Sequence, residues 1–408
     1  MIFRKFSCVT CNSMYQSFIP SFLPVMNSQQ QLSAIYLDFG AMSQSVVFST
    51  LEHWQNTSFF DRLADISYFV SVKDLQEIPT DLHTSLSGSR IVLCVSDELC
   101  AEESNHAKLN DIVNNGFRIV TDQLNAQTEL RWTDARHVAV DCTNGVPLSC
   151  RPWITRLSSG QHWAKQLSSS IELEQAKQAG FTLFSGDYAF NPPAKNKAAD
   201  SSARTRLLKL LGLLSRDADS DELENLIKQD PTLSFMLFKL VSSAAFSQSV
   251  RVSSFGQAIS LLGRRQLQRW LQLLLYARQQ DLGGALNPLM ARAAFRASMM
   301  EAVFQKLGAS KDDLDAAFMV GMFSLLDKLF GSALSEVLQP LQLREDILHA
   351  LIYRSGKLGQ CLCLVELADR TNTMELNEQT RLLELDADSY YDCICDAYVW
   401  VNQVCRDM

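Results

Sequence analysis

The chain has 408 residues and a mass of 45.8 kDa, with 47% hydrophobic and 20% charged residues, which excludes a disordered or fibrous protein and suggests two domains. Its formal charge of −8 and pI near 5.4 exclude a broad electrostatic hold on nucleic acid or anionic lipid, since both need a concentrated positive surface. No apolar run approaches the roughly 20 residues that cross a bilayer, so no membrane span is expected and the expected location is the cytoplasm.

Residues 1–32 read as a poorly ordered leader. Arg4 and Lys5 precede apolar residues that Ser7, Thr10, Asn12, Ser13 and Gln16 interrupt, which argues against a secretory signal. Cys8 and Cys11 have zinc-ligand spacing, but no second Cys or His pair follows at the distance a tetrahedral site requires. The eleven cysteines are odd in number and sit in apolar company, as at Cys94, Cys361, Cys363, Cys393 and Cys395, so buried reduced thiols are expected. No metal and no cofactor is expected.

From 33 to 193, short β-rich runs alternate with longer amphipathic ones. Residues 34–37, 68–72, 90–95, 117–121, 137–141 and 181–184 are predicted strands. Residues 105–115 and 170–179 carry helical periodicity and stop at Gly116 and Gly180. Strand, helix and strand in alternation predict a parallel sheet with crossover helices, as a barrel or as an open sheet. Residues 191–202 are rich in Pro, Ser, Lys and Ala and predict a linker, placed at 194–202. Few packed contacts are expected to cross it, so a fragment from about residue 200 is expected to fold alone. Beyond it no strand is predicted. Runs at 204–215, 219–228, 232–246, 254–262, 265–278, 288–307, 311–330, 341–354, 359–369 and 389–404 show apolar residues at three- and four-residue spacing. The segment 203–408 is therefore an all-helical domain.

Phosphate-binding glycine loops and a G-x-S-x-G elbow are absent, and no two of the six histidines lie close enough to ligate a metal from one helix turn. Arg264, Arg265, Arg269 and Trp270 form one basic-aromatic cluster, better explained as a helix start and a solvated face than as a nucleic-acid surface.

Asp230-Pro231, then Ser243-Ala244-Ala245-Phe246, then Ala258, Leu262, Gly263 and Arg264 reproduce in order the pattern of the HDOD domain, an HD-related helical output domain, which residues 203–408 resemble. Ser242 departs from the family's Asn. The resemblance implies that Asp230, Pro231, Ser243, Phe246, Gly263, Arg264 and Trp270 serve structure or partner binding. It also places Ser324 and Leu325 where an HD phosphohydrolase carries its metal-binding His-Asp pair; leucine offers no ligand atom.

Residues 116–125, 164–181 and 184–192 resemble, more distantly, an EAL domain, the barrel-type cyclic di-GMP phosphodiesterase. The expected fold is thus α/β plus all-α: a degenerate EAL-type (β/α) barrel-like domain over 33–193 and a C-terminal all-helical HDOD domain. Asp122 keeps the family's first acidic position, and Asp141 is the other retained carboxylate. Gln123, Cys94, Ser71, Ala139, Lys165 and Ser168 replace the remaining ligands and the catalytic lysine. Two carboxylates do not make a two-metal site. The resemblance implies a non-enzymatic signalling protein whose partner is another signalling protein, in cyclic di-GMP-linked control of motility or biofilm. Cyclic di-GMP itself is the less favoured ligand, because Asp122 and Asp141 repel phosphate unless a metal intervenes. The apolar surface around Trp270 is the expected partner face, flanked by exposed Gln266 and Arg269.

Overall fold

A computed structural model describes residues 18–407 apart from 80–81, 87, 89, 125–129, 131, 133–134, 148–153, 155–156, 158–159, 192–197, 231–232, 235, 238–240, 242–254, 278–286 and 371–372. Eight strands close in sequence order into a barrel: β1 Ser21–Met26, β2 Leu32–Asp38, β3 Ser67–Val72, β4 Ile91–Ser96, β5 Arg118–Leu124, β6 Val138–Asp141, β7 His162–Lys165 and β8 Leu183–Phe184. Neighbours from β2 to β8 pair parallel, whereas β1 runs antiparallel to both β2 and β8. All six predicted strands are present. The other two, β1 and β7, are not predicted, because β1 is interrupted by Pro24 and β7, His-Trp-Ala-Lys, holds no β-branched residue.

The leader expected over 1–32 is corrected by β1. Ile19, Phe22, Val25 and Met26 are buried, and the chain returns through a tight turn in which the Asn27 N–H donates to Gln31 O at 2.9 Å. Within the barrel, the strand alternation turns Val25, Ala34, Phe69, Val92, Cys94, Val120, Ala139, Trp163 and Leu183 inward as a packed core. The outward positions meet the helices α1 Gln44–Asn56, α2 Leu82–Ser85, α3 Asp97–Ala101, α4 Glu103–Asn114 and α5 Ser170–Ala179.

The helical half comprises α6 Ala198–Ser215, α7 Ser220–Lys228, α8 Phe255–Leu262, α9 Arg264–Ala277, α10 Pro288–Lys306, α11 Lys311–Phe323, α12 Leu326–Phe330, α13 Leu334–Leu338, α14 Glu345–Tyr353, α15 Gly356–Ala368, α16 Thr373–Leu382 and α17 Ala387–Asp407. The expected helix over 311–330 breaks at Ser324 and Leu325. Helix α10 is buried along most of its length by its neighbours α11, α15 and α17, its apolar faces interrupted by the paired Arg292 and Arg296. At Gly321 on α11 a Cβ would lie 2.4 Å from the Arg296 carbonyl oxygen, so only glycine lets the backbones of α10 and α11 approach this closely.

The two halves share one continuous core. Phe22 and Trp54 of the barrel side pack with Phe59 against Tyr391 of α17, with the Trp54 and Tyr391 rings edge to face at 5.0 Å. The Tyr398 hydroxyl donates to Phe22 O at 2.7 Å, and that of Tyr391 to Phe18 O at 3.1 Å. The Asn377 side chain accepts from Ile19 N–H and donates to Ile19 O, each at 2.8 Å. These contacts differ from the expectation that few would cross residues 191–202, because α16 and α17 double back onto β1. A fragment of residues 200–408 should consequently bind a hydrophobic dye and lack near-ultraviolet circular dichroism, while the full chain melts in one transition. A sharp, dye-silent melt of the fragment would show that the interface is dispensable.

Candidate functional site

The carboxyl ends of parallel barrel strands are where such folds assemble chemistry. Asp122 lies there, near the end of β5, and its carboxylate is 5% exposed. Lys165, from the end of β7, donates to both of its oxygens, at 2.8 and 2.9 Å. The Gln123 N–H adds a bond to Oδ1 at 2.7 Å. The ammonium also sits 5.1 Å from the Trp163 ring and 5.6 Å from the Tyr36 ring. Burial opposes the charge on Lys165, but the charge and hydrogen bonds of Asp122, with smaller help from Tyr36 and Cys94, outweigh it and raise its pKa. A raised lysine pKa stabilises the fold fully below the unfolded value and loses that contribution as pH rises through the folded one.

The rest of the mouth is poor in ligands. Burial pushes the Cys94 thiol pKa up, so the sulfur stays protonated. The Tyr36 hydroxyl, pushed up to about 12 chiefly by burial, is bonded to Ser71 Oγ at 2.8 Å. Asp141 ends β6 exposed, its Oδ1 accepting from the N–H and hydroxyl of Thr143 in a local turn. Asp122 and Asp141 therefore do different work: one is neutralised by an internal cation, the other caps a turn. Gln123 is exposed, with φ 62°. Among the described residues no group of three His, Cys, Asp or Glu could hold a metal. The donor set does not fit a divalent ion, because Asp122 already spends both oxygens on an ammonium and Asp97, the buried carboxylate just after β4, accepts the Trp132 N–H at 3.2 Å. A cavity of about 80 Å³ beside the mouth, between Tyr36, Asp38, Gln44, Ser71 and Lys73, is far smaller than the roughly 300–1,000 Å³ of ordinary ligand pockets.

In the helical half, Ser324 occupies the break between α11 and α12. Its hydroxyl donates to Gly321 O at 2.8 Å and accepts from Arg296 Nη1 at 3.2 Å. Arg296 also donates through Nε to Asp369 Oδ2 at 3.1 Å and through Nη1 to Glu366 at 3.2 Å. Arg292 meets the other Asp369 oxygen at 2.6 Å. Burial opposes the Arg292 charge, but Asp369, Tyr398 and Tyr188 raise its pKa above the ordinary value. A cation again stands at the place the resemblance assigned to metal ligands. A cleft of about 550 Å³ between the end of α10 and the starts of α11 and α15 shares no residue with either centre.

Of the HDOD-pattern residues, Asp230 is buried, accepting the Leu233 N–H at 3.0 Å and an Arg206 bond at 3.4 Å. Pro231, Ser243 and Phe246, like Cys8 and Cys11, lie outside the described residues. Gly263 joins α8 to α9 at φ 81°, the left-handed region expected of a glycine at a helix end. Arg264 donates to Ala218 O at 2.6 Å. Trp270 is buried, as are Leu271, Leu273, Leu274 and Leu275. The expected partner face on α9 is thus corrected: its apolar residues are core. Arg269, expected to be exposed, bridges Glu301 and Asp315 and stacks 4.2 Å from the Phe318 ring centre.

Sequence reasoning missed the counter-ion role of Lys165 and the pair Arg292 and Arg296. The signal for the second was available: two arginines four apart on an otherwise apolar helix need a buried partner.

The HDOD domain family matches residues 202–343, leaving α14–α17 outside the match although they pack into the same core. The uncharacterized protein YuxH of Bacillus subtilis is 28% identical over 59% of this chain and 58% of its own length. The cyclic di-GMP phosphodiesterase CdgJ of Vibrio cholerae is 26% identical over 64% of this chain and 61% of its own. The chain thus spans less than two thirds of the length of either relative. An EAL domain protein from Listeria monocytogenes overlaps 44% of this chain and 92% of its own at 10% identity, with a TM-score of 0.35. The chain thus carries an HDOD domain over residues 202–343, preceded by an eight-stranded (β/α) barrel of EAL-like form.

Proposed function

We propose that this chain is a non-enzymatic signal-transduction protein acting through contact with another signalling protein. The observation that carries the reading is the Lys165 ammonium held on both oxygens of Asp122. Two-metal phosphodiester hydrolysis needs several free oxygen ligands to bind the ions and generate hydroxide. Here the retained carboxylate is neutralised from within, its neighbour Cys94 is a protonated thiol, and the other carboxylate, Asp141, turns to a local cap. The second centre follows the same logic, with Arg296 on Ser324 and Asp369. What both centres retain is shape, which serves recognition.

The Vibrio cholerae relative is named a cyclic di-GMP phosphodiesterase, so that dinucleotide is the substrate to test. Incubation with cyclic di-GMP and Mg²⁺ or Mn²⁺ should give no linear dinucleotide. Metal-dependent turnover that disappears in Asp122→Ala would overturn the reading. Titration calorimetry with the same dinucleotide should be flat; saturable heat would favour an effector that binds without hydrolysis.

The internal ion pair makes its own prediction. Lys165→Met strands a buried carboxylate and should lower the unfolding free energy by about 3 kcal/mol. Combining it with Asp122→Asn should recover most of that loss. Urea unfolding of the two variants decides the matter: equal losses would mean that charge neutralisation is not what the pair supplies.

A further inference from the structure

The two centres are joined by an unbroken line of side-chain and backbone contacts. From Lys165 the line passes to the Trp163 ring at 5.1 Å, and the indole N–H donates to Ser185 Oγ at 2.9 Å. The next carbonyl, Gly186 O, accepts from Arg292 Nη2 at 3.2 Å. Arg292 and Arg296 then grip the two oxygens of Asp369, which is 1% exposed, and Arg296 ends on Ser324. The hinge of this line is the segment after β8, and it has little slack. Leu167 N–H donates to Ser185 O at 3.0 Å, and Tyr188 N–H to Leu167 O at 2.9 Å. A Cβ on Gly186 would lie 2.3 Å from Leu167 O, so the backbone is pressed against the β7 exit. The Phe190 ring lies under both guanidiniums, 5.4 and 5.5 Å away.

We propose that this line, buried at Trp163, Arg292, Asp369, Arg296 and Ser324 and partly buried at Lys165, Ser185 and Gly186, couples the barrel mouth to the break between α11 and α12, so that loosening either end loosens the other. The physical reason is that Asp369 has no solvent to replace a lost guanidinium. If Arg292 follows a displaced Gly186 carbonyl, the carboxylate and Arg296 must rearrange with it. Coupling of this kind is reciprocal, which separates it from a one-sided structural brace.

Hydrogen exchange of the full-length protein, read by mass spectrometry, tests both directions. Ser185→Ala, at the barrel end, should speed exchange at residues 321–326 and 365–369 by at least about five-fold, leaving residues 67–72 unchanged. Ser324→Ala, at the helical end, should speed exchange at residues 163–167 and 185–190 by a similar factor. Arg292→Met should abolish both distant effects when combined with either variant. Should Arg292→Met fail to fold, the two single alanine variants still decide. Changes confined to the mutated domain in either variant would overturn the proposal, as would acceleration spread equally over β3.

Discussion

Burying one carboxylate, that of Asp369, constrains much of this molecule. A charge taken out of water must be met by partners in fixed positions. Arg292 and Arg296 supply them from successive turns of α10, and this sets the rotation of that helix about its axis. With the rotation set, its remaining faces present Met290, Ala294, Phe295, Met299 and Val303 to the helices around it. The same guanidiniums reach the Gly186 carbonyl and the Phe190 ring, so the orientation of the helical half is tied to the end of the last barrel strand.

Both centres set a basic side chain where the resemblance puts metal ligands. Removing metal ligands alone would leave carboxylates repelling one another or buried without compensation. Here basic side chains of the same protein supply neutralisation: Lys165 at Asp122, and Arg292 with Arg296 at Asp369. An ammonium supplies charge but no open coordination position of the kind a divalent ion offers to water.

The sequence made the strand and helix rhythm legible wherever a local signal was strong. The run Ser170–Ala179, capped by Ser169 and stopped at Gly180, lies where periodicity put it. Glycines 263, 308 and 331 all adopt positive φ at helix ends. Local pattern failed where distant contacts decide. Ser21–Met26 is a barrel strand only because β2 and β8 lie on either side of it, and Lys165 becomes a counter-ion only when a closed barrel brings β7 to the mouth beside β5. The apolar breadth of α9 was visible, but whether it faced a partner or the interior depended on how the helices stack. The break at Ser324 was invisible in the apolar spacing of 311–330, which runs straight through it.

The hydrogen bond from Tyr398 to Phe22 joins residues 376 positions apart. During synthesis, β1 leaves the ribosome hundreds of residues before the helix that will cover its outer neighbours. The nascent barrel must therefore wait with Phe22, Trp54 and Phe59 unsheltered until α17 arrives, a long-range closure of the kind that slows folding. Such an interval is where chaperones find their clients and where half-made chains meet one another. A chain arrested in translation anywhere before α17 would present that aromatic face, whatever the quality of the barrel already made.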